Sequence, residues 1–186
     1  MKSVQEILNN EISLLKDFDF NSLDWFCEKL LEIQLNNKEI FVCGNGGSSS
    51  LSEHFCCDHQ KIIHEKTNLK FKFNSLNSNS ALNTAIANDI SYDSVFSKQL
   101  EFKAQKGDLL VVISASGNSK NILKALEFAK NNEIATFGLF GEGGRGENLT
   151  DNCFLVKSKN VQIIEDIHTI FMHLAFVGVI NKIESK

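Results

Sequence analysis

His54 and Asp58 stand four residues apart in Glu53-His54-Phe55-Cys56-Cys57-Asp58, the spacing that puts two side chains on one face of a helix. A second polar set, Glu165, Asp166, His168 and His173, interrupts the otherwise apolar stretch Val161 to Ile183. His54, Asp58, Glu165 and His173 are all able to ligate a divalent metal, so a fold that gathers them makes a metal site. The competing reading leaves each histidine as a hydrogen-bonded core residue. Glu165 and His173 are eight positions apart, roughly 12 Å of rise in a continuous helix. Sharing an ion would stretch both side chains or require Glu165 to sit at the helix start and lean along it.

Two turns offer complementary chemistry. Cys43-Gly-Asn-Gly-Gly-Ser-Ser-Ser50 follows a short apolar run and leads into a helical pattern. Its glycines allow close backbone approach, and the free N–H groups of a helix start attract an anion. It has neither the lysine of a P-loop nor G-x-G-x-x-G spacing, so an ordinary strand-to-helix turn is the plain alternative. Ile113-Ser-Ala-Ser-Gly-Asn-Ser119 has the same setting, with three hydroxyls suited to a phosphate dianion. Its serines and Asn118 would equally serve as helix caps. Turns at the carboxyl ends of two strands are where open α/β sheets bind ligands, and together they point to a sugar phosphate.

These groups need a scaffold, and the apolar pattern supplies one. Val4, Ile7, Leu8, Ile12 and Leu15, then Leu23, Phe26, Leu30 and Ile33, recur at helical spacing and predict two amphipathic helices broken at DFDFNS. Buried strands are predicted at Glu39–Cys43, Asp108–Ile113, Ile134–Leu139 and Cys153–Val156, with a further one from Leu69 to Leu76. Helical patches at Ala81–Ala87, Val95–Phe102 and about Lys120–Asn131 lie between them. Strands alternating with helices predict an α/β fold, a doubly wound three-layer sandwich around a mainly parallel five-stranded sheet, preceded by the N-terminal helices. The domain reading is one unit over 1–186, with 1–35 as a helical extension. The last helix, Val161 to Ile183, is apolar on most of its circumference, which predicts burial in this domain or against another copy of it.

With 186 residues, 42% hydrophobic and 23% charged, the chain can bury a full core without disulfides. Nineteen basic against 23 acidic side chains leave a net charge of −4, a poor match to nucleic acid or to an anionic membrane surface. The five cysteines, Cys27, Cys43, Cys56, Cys57 and Cys153, are odd in number and lack C-x-x-C spacing. They read as small core residues of a reducing, cytoplasmic compartment. The N-terminus lacks the apolar core of a signal peptide, and no run of eighteen uninterrupted apolar residues occurs.

CGNGGSSSLSEHF, TAIAND (Thr84 to Asp89), VVISASGNSKNILKAL and the spacing of Glu165, His168 and His173 resemble the sugar isomerase (SIS) fold. Within it they are most similar to the sedoheptulose-7-phosphate isomerases, also called phosphoheptose isomerases. The likeness runs over nearly the whole chain. It implies sugar-phosphate contacts at Asn45, Gly46, Gly47, Ser48, Asn88, Asp89, Ser114, Ala115, Ser116, Ser119 and Glu165. It also implies zinc ligands at His54, Asp58, Glu165 and His173, an acid/base pair at Asp58 and His173, and a homotetramer with active sites between subunits, a dimer being the fallback. The chain departs from that pattern: Asp58 replaces the usual Glu, Glu165 the usual Gln, Ile62 an Arg and Ala115 a Thr, while His59 and Glu53 are unusual. An aldose–ketose isomerase of a seven-carbon sugar phosphate is the leading expectation. A non-catalytic module that binds a sugar phosphate or a protein partner, and an isomerase of another phosphosugar, are the alternatives.

Overall fold

The computed structural model describes residues 3–185, so the ends of the 1–186 unit lie outside it. Seven α-helices and five strands follow one another as α1 (Val4–Lys16), α2 (Phe20–Leu35), β1 (Glu39–Gly44), α3 (Gly47–Thr67), β2 (Lys72–Ser75), α4 (Ser80–Asp89), α5 (Val95–Lys103), β3 (Leu109–Ser114), α6 (Lys120–Asn131), β4 (Ala135–Gly141), β5 (Asn152–Val156) and α7 (Val161–Glu184). Short 3₁₀ turns cover Tyr92–Ser94 and Arg145–Leu149. The sheet runs β2-β1-β3-β4-β5 and every pairing is parallel, so the mainly parallel expectation becomes a wholly parallel one. Helical crossovers make this possible.

Each central strand divides its side chains cleanly between two cores. Ile40, Val42, Leu109, Val111 and Ile113 pack with α2, α3 and α7, whereas Phe41, Cys43, Leu110 and Val112 pack with α4, α5 and α6. That alternation across a sheet covered on both faces is the three-layer arrangement expected from the runs of apolar residues. β2 is shorter than the predicted Leu69–Leu76 because it is an edge strand, paired only with β1.

The N-terminal helices differ from each other. α1 buries none of its residues, while α2 places Leu23, Phe26, Cys27, Leu30, Leu31 and Ile33 in the core against α7. The break between them is shorter than DFDFNS: Asp19 caps α2 by accepting from the N–H groups of Asn21 and Ser22, which draws Phe20 to Ser22 into the helix. α7 is long and apolar enough to cross a membrane by length and composition. Here Ile163, Ile167, Phe171, Ala175 and Val179 are sunk in the protein core, and Glu165, Asp166 and Thr169 line a cleft. Cys27, Cys43 and Cys56 are buried as expected, and burial pushes the thiols of Cys27 and Cys56 up to about 12. Cys57 departs from that expectation and is exposed, because it lies on the outer face of α3.

Candidate active site

The β1–α3 turn begins at Gly44, whose N–H and C=O are both held by the Asn77 side chain, at 3.1 and 2.9 Å. Gly46 adopts φ +56°, in the left-handed region where a side chain is costly, and lets α3 start at once at Gly47. No side chain caps α3, so its first N–H groups are left for other partners. Asn45 forms a reciprocal amide pair with Asn121 in the first turn of α6 (2.9 and 2.8 Å) and accepts from the Tyr92 hydroxyl at 2.9 Å. Ser48 is buried beneath the turn.

Further along α3, His54 and Asp58 share a face as predicted, with His54 Nε2 3.0 Å from Asp58 Oδ2. His173 of α7 brings its Nε2 to 3.8 Å from the same oxygen. The three ligand atoms lie within 4.8 Å of one another. A tetrahedral zinc ion with bonds of 2.0–2.2 Å spaces its ligand atoms about 3.4 Å apart, so the separations bracket that value and the donor set fits a divalent ion with an open position. Nearly half of each imidazole is exposed, at 46% for His54 and 45% for His173. His173 is therefore not the buried imidazole that an apolar helix suggests: α7 turns this edge toward solvent.

Glu165 lies elsewhere. It sits in the second turn of α7, and its carboxylate rests against Gly47, where a methyl group on that glycine would come within 2.8 Å of Oε1. Of the four expected metal ligands the structure gathers three, and places the fourth at the N-terminus of α3, a favourable location for a carboxylate. An open cleft of about 400 Å³ separates the two, lined by Gly47, Ser50, Leu51, His54, Glu165, Asp166 and Thr169.

The β3–α6 turn is built differently. Ser114 accepts from the Gly117 N–H and Ser116 from the Asn118 N–H, both at 3.2 Å. Gly117 has φ +59° and packs against Gly144, and its carbonyl accepts from the Gly146 N–H at 2.9 Å. Asn118 accepts from the Arg145 N–H, so the loop after β4 braces the turn from outside. Ser119 stands at the N-cap of α6 without capping it, which leaves its hydroxyl for a ligand. Ala115, where a relative would carry Thr, contributes backbone only: its carbonyl accepts from Gly141.

Asn88 and Asp89 end α4 on the surface, bonded to each other at 2.8 Å and to neither turn. Lys61, beside Ile62, pairs outward with Glu65 at 3.2 Å. Two histidines are core residues. His59 stacks on Phe55 at 3.9 Å and donates from Nδ1 to the Phe55 carbonyl at 3.0 Å, leaving Nε2 unpartnered; burial pushes its pKa down to about 3. His168 is fully buried behind the cleft, and burial pushes its pKa down to about 4. Asn77, Tyr92 and Asn121 are absent from the sequence-based site, since nothing in local spacing ties them to the turns they hold.

The model of the SIS domain family matches residues 9–141. A phosphoheptose isomerase from Campylobacter concisus is 36% identical over 177 residues, covering 93% of this chain and 89% of that one. One from Helicobacter pylori is 40% identical over 149 residues, covering 78% and 76%. Among solved structures, a phosphoheptose isomerase from Neisseria gonorrhoeae superposes with a TM-score of 0.84 at 27% identity, over 98% of this chain and 97% of the other. One from Francisella tularensis does so at 0.87 and 25%, over 96% and 98%. A parallel sheet with two serine and glycine turns at its carboxyl edge, a His/Asp/His cluster beside one of them, and these relatives together make the chain a member of the SIS domain family, among its phosphoheptose isomerases.

Proposed function

We propose that the chain is an aldose–ketose isomerase that interconverts sedoheptulose 7-phosphate and a manno-heptose 7-phosphate through an enediol. The observation that carries this reading is the placement of Asp58 between two half-exposed imidazoles, at 3.0 and 3.8 Å, with His54 also lining the cleft that begins at the first glycine turn. Isomerisation moves one proton between adjacent carbons, and so needs a base for carbon, an acid for oxygen and stabilisation of the developing oxyanion.

The Asp58 carboxylate takes the proton from one carbon and returns it to the next. His173 exchanges a proton with the sugar oxygens through the ring nitrogen that a metal would leave free, and His54 holds Asp58 in place. His54, Asp58 and His173 would hold the metal, zinc by the mix of imidazole and carboxylate donors. That ion supplies Lewis-acid polarisation of the sugar oxygens. Glu165 serves the substrate at the α3 N-terminus, and would join the metal only by leaving Gly47. The phosphate belongs at Ser114, Ser116, Ser119 and the Ala115 backbone, while Asn45, Gly46, Gly47 and the Ser48 backbone serve the sugar. Asn88 and Asp89 lie on the surface of one chain, which suits a homotetramer whose neighbouring subunit completes the site. Five unpaired cysteines suit the cytoplasm.

Incubation of the zinc-loaded protein with sedoheptulose 7-phosphate tests the reading: a heptose 7-phosphate should accumulate to equilibrium and stop accumulating on chelation. Phosphosugar binding without turnover would make this a binding module instead. Light scattering at micromolar concentration should give four chains per particle, and a monomer would remove the shared site.

A further inference from the structure

The Asn45 side chain is locked in one orientation by a chain of hydrogen bonds whose direction is determined. The Ile122 backbone N–H, which can only donate, points at Asn121 Oδ1 at 3.0 Å. Asn121 Oδ1 also accepts from Asn45 Nδ2 at 2.9 Å, and Asn121 Nδ2 donates to Asn45 Oδ1 at 2.8 Å. The Tyr92 hydroxyl fills the other acceptor site of Asn45 Oδ1 at 2.9 Å. A carboxamide has two acceptor sites on oxygen and two N–H donors. Asn45 thus has its oxygen fully used and one N–H left over.

Tyr92 is held where it can do this. Its 3₁₀ turn is tied to α6 by Lys124 Nζ donating to Ser94 Oγ at 3.3 Å and by Lys120 standing 3.8 Å from Asp93. The tyrosine is 60% exposed, so its ring is not a core residue.

We propose that Tyr92 and Asn121 are positioning residues: they fix the Asn45 carboxamide so that it offers the sugar phosphate one N–H donor and no acceptor, and thereby select an acceptor oxygen on the substrate. This rests on the isomerase reading for the identity of the ligand, but not for the lock itself. Removing the Tyr92 hydroxyl frees an acceptor site on Asn45, so the carboxamide no longer presents a donor alone, while Asn121 still sets its direction.

The test is Tyr92→Phe, with KM and kcat for sedoheptulose 7-phosphate, inhibition by inorganic phosphate, and the side-chain amide resonances of Asn45 in protein labelled with ¹⁵N-asparagine. Loss of one hydrogen bond should raise KM about two- to tenfold, leave kcat within about twofold, and leave phosphate inhibition unchanged. The Asn45 amide signals should shift, and in an Asn45→Ala background Tyr92→Phe should add nothing. An unchanged KM in an active enzyme, a matching loss of phosphate inhibition, or additive effects in the double variant would overturn the proposal. If the wild-type chain turns over no phosphosugar, the isomerase reading fails, and the ligand-free amide signals still decide the lock: shifted they support it, unmoved they refute it.

Discussion

The β1–α3 and β3–α6 turns are alike in sequence and setting, each a run of Gly, Ser and Asn between a buried strand and a helix of the same sheet. Their surroundings are opposite. The first has the Glu165 carboxylate against its opening glycine and the Asp58, His54 and His173 cluster further along its helix. The second has no carboxylate among its described hydrogen-bond partners, and is braced from outside by backbone groups of Gly146 and Arg145. A phosphate dianion is repelled by a carboxylate and welcomed by free N–H groups and hydroxyls. On the proposed isomerase reading, the contrast favours phosphate at the second turn and the reacting carbons at the helix behind the first. On that reading, two similar turns differ in task because of what is packed against them.

Removing a cluster side chain breaks this division most strongly. His173→Ala should reduce kcat at least about 100-fold, while phosphosugar binding, measured by calorimetry, stays within a few-fold of wild type. Asp58→Asn should do the same and also weaken zinc. Equal losses of binding and turnover would mean that the cluster holds the ligand rather than transforming it.

Substitution at the second turn should have the reverse signature. Ser116→Ala with Ser119→Ala removes two hydrogen bonds at about 0.5–1.5 kcal/mol each, which raises KM about fivefold to a hundredfold and leaves kcat nearly unchanged. An unaltered KM would remove phosphate from this turn.

The two histidines of α7 sharpen the contrast between cleft and core. His168 is buried, and neither ring nitrogen makes a well-formed hydrogen bond in the described structure, the Phe140 carbonyl offering only a weak contact. Burial lowers its pKa from 6.5 to about 4, with a smaller opposing contribution from the Phe140 carbonyl. The unfolded chain binds a proton below pH 6.5 that the folded chain refuses until about pH 4, so stability is full above 6.5 and falls as pH drops between those values. At pH 5 the loss is about 2 kcal/mol. Guanidinium unfolding of wild type and His168→Leu at pH 7 and pH 5 should show the wild type losing that much more than the variant. Equal losses would mean that His168 is protonated in the fold.

Glu165→Gln should give the smallest change. It removes a negative charge from a partly buried position beside the first turn, where a solvent-screened charge interaction contributes about 0.2–1 kcal/mol. The KM for the phosphosugar should fall about two- to threefold, less so at high salt. A large loss of zinc instead would show that Glu165 leaves Gly47 to bind the metal.

Much of this was legible in the chain itself. Apolar runs such as Leu109–Ile113 announce buried strands because both faces of the sheet are covered, and the spacing of His54 and Asp58 puts them on one helix face. The approach of His173 to Asp58, by contrast, depends on how α7 lies along α3. So does the seat of Glu165 against Gly47. Asn121 and Tyr92 act on Asn45 from 76 and 47 residues away. No local periodicity carries such pairings, since they arise only when separate crossovers return to the same sheet edge.

The most direct test of the division of labour is hydrogen exchange from solvent into the sugar. Sedoheptulose 7-phosphate incubated in D₂O with the zinc-loaded protein and followed by NMR should acquire deuterium at C1 of the ketose and C2 of the aldose. Exchange should stop on chelation and be absent in His173→Ala, while Ser116→Ala with Ser119→Ala still exchanges at saturating sugar. Absence of exchange in the metal-loaded wild type, or exchange that survives His173→Ala undiminished, would contradict the account.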